Sequence, residues 1–157
     1  IELRGKLLSP QSSRYHLLAT SVLDDGWLEE VGRFQPRPCV FLAEGVFPYF
    51  EETQVKGLFL TIRDHFPGSE LVCDAHTPFV IWADNLQLAF AKVKARLQWS
   101  IKTGKDPENW GQDIRLLDEW NYYEDDEPRL KAYRWALRIP AIAKSSGIFH
   151  YRLGIQT

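Results

Sequence analysis

The hydrophobic and polar positions along the chain alternate between short apolar runs and longer stretches with helical spacing. Short apolar runs bounded by turn-forming residues predict strands, and apolar residues at steps of three and four predict helices. Strands are expected over Tyr15–Ser21, Pro38–Val46, Glu70–His76, Ile114–Tyr123 and Gly147–Gly154. Helices are expected over Asp24–Gly32, Glu51–Phe66, Pro78–Trp99 (as one or two helices) and a segment that ends near Ile139.

This order of elements predicts an α/β fold with a mostly parallel sheet and helices on its faces. The segment Pro38–Val46 is apolar on both faces, which is typical of a buried parallel strand. The last two strands are expected to form an antiparallel edge. One apolar stripe supports the helix over Glu51–Phe66; it consists of Val55, Leu58, Phe59, Ile62 and Phe66.

Composition and charge narrow the class of protein. The 157 residues suit a single domain over 1–157, and the net charge of -2 gives no basic face for nucleic acid. No apolar run approaches the length of a membrane span, so we expect no membrane partner. The cysteines, Cys39 and Cys73, are interpreted as free thiols of a cytoplasmic protein, and no metal-ligand spacing occurs. The chain has no Met and starts with Ile1, which suggests part of a longer protein.

Polar residues follow three of the predicted strands, where open α/β sheets bind their ligands. They are Ser21–Val22, then Glu44–Gly45, then Asp74 with His76. The set favours a ligand site, with Asp74 and His76 as candidate catalytic residues. Each residue also has a structural interpretation: Asp74 as a helix cap, Glu44 as the partner of a nearby arginine, and His76 as a surface histidine. The remaining histidines are interpreted as structural; they are His16, His65 and His150.

Aromatic residues are dense after the third predicted strand. Four of them are candidate walls of a pocket for a flat substrate: Trp99, Trp110, Tyr122 and Tyr123. The alternative is that these rings pack in the core or in a lid, as large aromatic side chains commonly do.

Several segments together resemble a known family. The segment FLAEGVFPYFEETQVKGLFLTIRDHFPGSELVCDAHTP is similar to the middle of the leucine carboxyl methyltransferase superfamily, nearest its tetracenomycin-type polyketide O-methyltransferase branch. RYHLLATSVLDDGWLEEV, WGQDIRLLDEW, YRWALRIPAI and YRLG agree in the same order. The resemblance implies a Rossmann-like class I methyltransferase fold with strand order 3-2-1-4-5-7-6. It also implies S-adenosylmethionine as cofactor and a hydroxyl or carboxyl of a small molecule or polyketide as methyl acceptor.

The resemblance also implies roles for individual residues. Glu44 and Gly45 would lie against the cofactor, and Ser21 and Val22 beside its adenine, although many members have Asp in place of Ser21. A hydroxyl acceptor would use a base, for which His76 is the candidate, whereas a carboxylate acceptor needs none.

The glycine-rich strand-turn-helix and the acid that holds the ribose in this family have no counterpart in the sequence. We therefore expect a truncated fold, the C-terminal part of a methyltransferase domain, that binds the cofactor weakly by itself. We also expect the strand over Tyr15–Ser21 to move beside Pro38–Val46, and the chain to form a homodimer through an exposed sheet edge. The alternative is a non-catalytic methyltransferase remnant that acts as an oligomerisation module.

Overall fold

The computed structural model describes residues 16–34, 39–123 and 138–155. The chain divides into two compact units, Ile1–Arg37 and Pro38–Thr157. Most of the predicted helix that ends near Ile139 falls outside the described residues.

In the first unit, helix α1 spans Gly26–Gly32 and confirms the predicted helix there. Residues 16–21 are not a strand, so the prediction for Tyr15–Ser21 is wrong over the described part of that segment. The backbone instead turns, with the amide of Asp24 donating to the carbonyl of Ser21 at 3.1 Å. A short apolar run becomes a strand only where a neighbouring strand supplies backbone partners, and the local pattern does not reveal this.

The second unit contains a four-stranded sheet with the order β1-β2-β4-β3. The strands are β1 (Val40–Ala43), β2 (Ser69–His76), β3 (Ile114–Asn121) and β4 (Ser146–Leu153). β1 is parallel to β2, while β4 is antiparallel to both β2 and β3. The predicted antiparallel edge made by the last two strands is confirmed: β3 and β4 pair antiparallel at one side of the sheet, with β3 outermost and β4 between β2 and β3. The burial of β4 agrees with this interior position, since five of its eight residues are buried.

Helices and short 3₁₀ turns connect the strands. The helices are α2 (Glu52–His65), α3 (Pro78–Phe90) and α4 (Pro140–Ala143), and the 3₁₀ turns span Phe47–Tyr49 and Asp106–Trp110. The predicted helix Pro78–Trp99 therefore ends nine residues early. Lys92 has a φ of 55°, a left-handed conformation that stops a helix, and residues 93–101 form neither helix nor strand.

The apolar stripe of α2 packs in the core as predicted. Val55, Leu58, Phe59 and Ile62 are buried. The ring of Phe59 contacts Trp110 of the second 3₁₀ turn and Tyr151 of β4, at centroid distances of 5.1 and 5.4 Å. Aromatic packing thus joins α2 to the middle of the sheet, which gives the strand ends a rigid support.

β4 lies close to β3 near the carboxyl end of β2. Gly147 pairs with Asn121, and a Cβ at Gly147 would lie 2.5 Å from the carbonyl oxygen of Trp120. Only glycine permits this approach, because the obstacle is backbone that cannot rotate away.

β1 pairs only with β2 within the described residues. On one face of β1, Val40 and Leu42 are 62% and 78% exposed. Because residues 16–21 are not a strand, the predicted move of a strand beside Pro38–Val46 is wrong. The predicted homodimer is not tested by a single chain and stays a prediction.

Candidate functional site

The turn that follows β1 is held by a side chain from β2. Gly45 has a φ of 64°, and its backbone amide donates to Oδ1 of Asp74 at 2.9 Å. A Cβ at Gly45 would meet nothing within 4 Å, so glycine is needed here for its backbone conformation while the space beside it stays open. We call residues Glu44 and Gly45 the Glu44 turn.

Glu44 itself is exposed and has no hydrogen-bond or salt-bridge partner among the residues that the structure describes. The alternative interpretation of Glu44 as the partner of a nearby arginine therefore has no support within these ranges. An unpaired carboxylate at the carboxyl end of a strand is available to accept hydrogen bonds from a ligand.

Asp74 is buried, at 8% exposure, and faces the Glu44 turn rather than the start of α3. The residue at the N-cap of α3 is Thr77, whose side chain makes no capping hydrogen bond, and Pro78 in the first turn has no backbone N–H to cap. The alternative of Asp74 as a helix cap is thus not what the structure shows. Asp74 positions the backbone of the Glu44 turn.

The half-buried ring of His76 lies between the side chains of Ser146 and Asp74. Its Nδ1 is 2.9 Å from Oγ of Ser146, and its Nε2 is 3.7 Å from Oδ2 of Asp74. His76 and Ser146 face each other across β2 and β4. Ser146 could not be predicted from the sequence, because it lies 70 residues from His76 along the chain and only the strand register brings the two together.

The four predicted pocket aromatics do not form one cluster. Tyr122 lies near the site. Burial is the main cause that raises the pKa of its hydroxyl, and the nearby carboxylates of Asp74 and Glu44 raise it further. Trp99 is 2% exposed and packs edge-on against Phe47 at 5.8 Å. Trp110 packs against the core, and Tyr123 lies in the turn after β3.

Two cavities border the same segment of chain after α3. The smaller, of about 160 Å³, is lined by His76 together with Lys102, Glu119 and Asn121. The larger, of about 420 Å³, is lined by Trp99 and Trp110. The two tryptophans therefore combine core packing with a cavity wall, and their predicted role in an acceptor pocket stays a prediction.

Ser21 and Val22 lie in the first unit and already have local partners. Oγ of Ser21 accepts from the amide of Leu23 at 3.1 Å, and the carbonyl of Val22 accepts from Nε1 of Trp27 at 3.0 Å. The indole of Trp27 thus fixes the turn in which the two residues lie. Their predicted contact with an adenine stays a prediction.

Within residues 16–34, 39–123 and 138–155, no group of three or more His, Cys, Asp and Glu side chains could hold a metal ion. No helix in those ranges has both the length and the apolar character to cross a membrane.

Known proteins share this architecture and part of this sequence. The chain is 26% identical over 121 residues to the tetracenomycin polyketide synthesis O-methyltransferase TcmP of Streptomyces glaucescens, covering 77% of this chain and 44% of that protein. It is 32% identical over 72 residues to the S-adenosyl-L-methionine-dependent methyltransferase dpfgK of Gibberella zeae, covering 44% of this chain and 24% of that protein. No protein-family profile matches the chain.

Two solved structures cover nearly the whole chain. A putative methyltransferase from Thermobifida fusca superposes with a TM-score of 0.63 at 15% identity, covering 97% of this chain and 59% of that one. A protein of the DUF574 family from Streptomyces avermitilis superposes with a TM-score of 0.60 at 14% identity, covering 96% and 60%.

The fold is therefore a Rossmann-like methyltransferase fold. Its four described strands have the order that the resemblance implies for strands 4, 5, 7 and 6 of such a sheet. The similarity to TcmP agrees with the resemblance that the sequence motifs carry. It spans less than half the length of the curated relatives that it matches. Membership of the wider leucine carboxyl methyltransferase superfamily stays a prediction.

Proposed function

We propose that this protein is an S-adenosylmethionine-dependent O-methyltransferase that acts on a hydroxyl or carboxyl of a small molecule or polyketide. One observation carries the proposal: Asp74 holds the Glu44 turn at the carboxyl end of two parallel strands, in a sheet with methyltransferase order. Fold alone does not define function, and this arrangement of residues supports the proposal beyond the fold.

The residues that are present fit the cofactor. Glu44 offers an exposed carboxylate, and Gly45 leaves open space beside the backbone. S-adenosylmethionine carries hydroxyl and ammonium donors that such a carboxylate binds well. When bound, it supplies a methyl group activated by a positively charged sulfur. Glu44 and Gly45 are the proposed cofactor residues of the second unit.

The protein's main contribution would be to orient and dehydrate the acceptor oxygen. Holding two reacting atoms about 3 Å apart in the correct geometry removes roughly 7–11 kcal/mol from a barrier. We propose His76 as the base for a hydroxyl acceptor, since it lines the cavity at the end of β2. A carboxylate acceptor would bind there already ionised and would leave His76 without a proton to take.

A second candidate function has one specific observation in its favour. Val40 and Leu42 present an exposed apolar face at the edge of the sheet, a surface that suits pairing with a second copy of the chain. This supports the alternative of a non-catalytic methyltransferase remnant that acts as an oligomerisation module. We also propose a cytoplasmic location, because the buried Cys73 is a free thiol.

Titration calorimetry with S-adenosylmethionine separates the two functions when it is done on the protein at its natural length. The enzyme proposal expects saturable binding, followed by transfer of labelled methyl to a panel of phenols and carboxylic acids. Alkaline lability of the product then distinguishes an ester from an ether. Absence of binding, together with a dimer in light scattering, would overturn the enzyme proposal in favour of the oligomerisation module.

A further inference from the structure

The side chain of Ser146 lies at the centre of the candidate site, although no motif points to it. We infer that Ser146 is a positioning residue: its hydroxyl holds His76 with the Nδ1 lone pair toward β4 and the Nε2 proton toward Asp74. The arrangement of the ring follows from geometry alone. Its importance for methyl transfer depends on the function proposed above.

Asp74 determines which ring nitrogen of neutral His76 carries the proton. Oδ1 of Asp74 accepts from the backbone of Gly45 at 2.9 Å, while Oδ2 faces Nε2 of His76 at 3.7 Å. A carboxylate oxygen attracts an N–H group and repels a nitrogen lone pair, so the proton belongs on Nε2. Nδ1 is then the acceptor, and it lies 2.9 Å from Oγ of Ser146, within donor distance.

Ser146 is well placed to fix the ring because its own backbone is fixed. Its exposure is 4%, and it pairs with His76 in the antiparallel ladder. The carbonyl of Ser146 accepts from the amide of Tyr122 at 3.0 Å on the side of β3. On the side of β2, the amide of Thr77 donates to the carbonyl of Ser145 at 2.8 Å. The hydroxyl thus belongs to a strand that makes backbone hydrogen bonds on both sides, toward β2 and toward β3.

The same two partners suit the charged ring. In the imidazolium both nitrogens carry protons, and Oγ of Ser146 and Oδ2 of Asp74 can each accept one. The Ser146 hydroxyl needs only to rotate from donor to acceptor. The ring therefore keeps a partner at each nitrogen, and the same orientation, with one ring proton or with two.

The test is the ¹⁵N spectrum of the histidine ring nitrogens of the protein, with no cofactor added and at a pH where His76 is neutral. We expect Nε2 of His76 to carry the proton and Nδ1 to resonate as a hydrogen-bonded acceptor. In Ser146→Ala the Nδ1 resonance should move downfield by several parts per million, because the acceptor loses its donor. Ser146→Thr, which keeps the hydroxyl, should restore the original position.

Ser145→Ala is the matched control, since the Ser145 hydroxyl donates to the carbonyl of Ile142 and not to a histidine. It should leave the Nδ1 resonance unchanged, and His150 should be unaffected in all variants. A proton on Nδ1 in the unaltered protein, or an unchanged resonance in a folded Ser146→Ala variant, would overturn the inference. If Ser146→Ala does not fold, the ¹⁵N resonances of His76 in the unaltered protein and in Ser146→Thr decide whether the inference holds. Because no cofactor is used, the inference and the proposed enzyme activity can fail separately.

Discussion

Strand β2 carries an acid beside a histidine at each of its two ends, and the two pairs differ in their surroundings. At the amino end, Glu70 lies 2.9 Å from Nε2 of His150 and 3.0 Å from Nη2 of Arg152. At the carboxyl end, Asp74 lies 3.7 Å from Nε2 of His76. The same residue types thus form a tight group at one end and a looser one at the other.

The amino-end group is closed within itself. Both oxygens of Glu70 have a partner on β4, and Arg152 pairs with Glu70 in the strand register. Hydrogen bonds first from Arg152 and then from His150 lower the pKa of Glu70. Since both oxygens of Glu70 already have partners on β4, this group links β2 to β4 and has no carboxylate oxygen left without a partner for a ligand to bind.

The carboxyl-end group contains two carboxylates, Glu44 and Asp74, without a lysine or arginine partner within salt-bridge distance among the described residues. The nearby negative charge contributes to the raised pKa of Tyr122. Uncompensated charge of one sign in a partly buried region is costly to the fold unless a ligand binds it. The comparison supports the proposal that the amino end serves stability and the carboxyl end serves binding.

The largest expected effect comes from adding one methyl group to β4 beside the carboxyl end of β2, where β3 and β4 pack closely. In Gly147→Ala the new Cβ would lie 2.5 Å from the Trp120 carbonyl, so β3 and β4 must separate. Overpacking of this kind costs about 1–3 kcal/mol of unfolding free energy, measured by urea denaturation. Gly57→Ala is the control, because it lies within α2 with open space around it and should stabilise the fold by about 0.5–1 kcal/mol.

Equal stability of Gly147→Ala and the unaltered protein would contradict the tight packing at this end of the sheet. It would also remove the reason for the rigid placement of Ser146, since Gly147 follows it directly in β4.

A smaller effect is expected at the amino end, in the pH dependence of stability. Because the pKa of Glu70 is lowered in the folded protein, its contribution is present above the usual value of 4.5 and is lost as the pH falls through the folded pKa. Glu70→Gln should therefore be less stable at pH 7 by about 0.2–1 kcal/mol, as for other partly exposed ion pairs. It should differ less from the unaltered protein at low pH.

Urea denaturation at several pH values checks this sign. A constant difference between the two proteins from pH 7 down to the acid limit would mean that Glu70 acts through packing and not through its charge.

The sequence predicted what depends on local pattern. The stripe of α2 is buried as expected because Val55, Leu58 and Ile62 repeat with the period of a helix. The Glu44 turn and Asp74 were predicted to meet because the carboxyl ends of neighbouring parallel strands lie at one edge of a sheet, and the hydrogen bond between Gly45 and Asp74 confirms this.

What depends on long-range pairing was not predictable. The contact between His76 and Ser146 exists only because β4 inserts beside β2 in one register. A shift of one residue would turn Ser146 to the other face. The apolar run around Leu17 and Leu18 looked like a strand but leaves both side chains more than a third exposed, because no strand pairing forms there. Local hydrophobicity does not contain this information.

The most direct test of the account compares Glu44→Ala with Glu70→Ala in calorimetric titrations with S-adenosylmethionine, on the protein at its natural length. Glu44→Ala should weaken binding by tenfold or more, because a charge-assisted hydrogen bond contributes roughly 1.5–3 kcal/mol, and it should unfold at the same urea concentration as the unaltered protein. Glu70→Ala should show the opposite pattern, with unchanged affinity and lower stability. Unchanged affinity in Glu44→Ala, or an equal loss of affinity in both variants, would contradict the assignment of binding to the carboxyl end of the sheet.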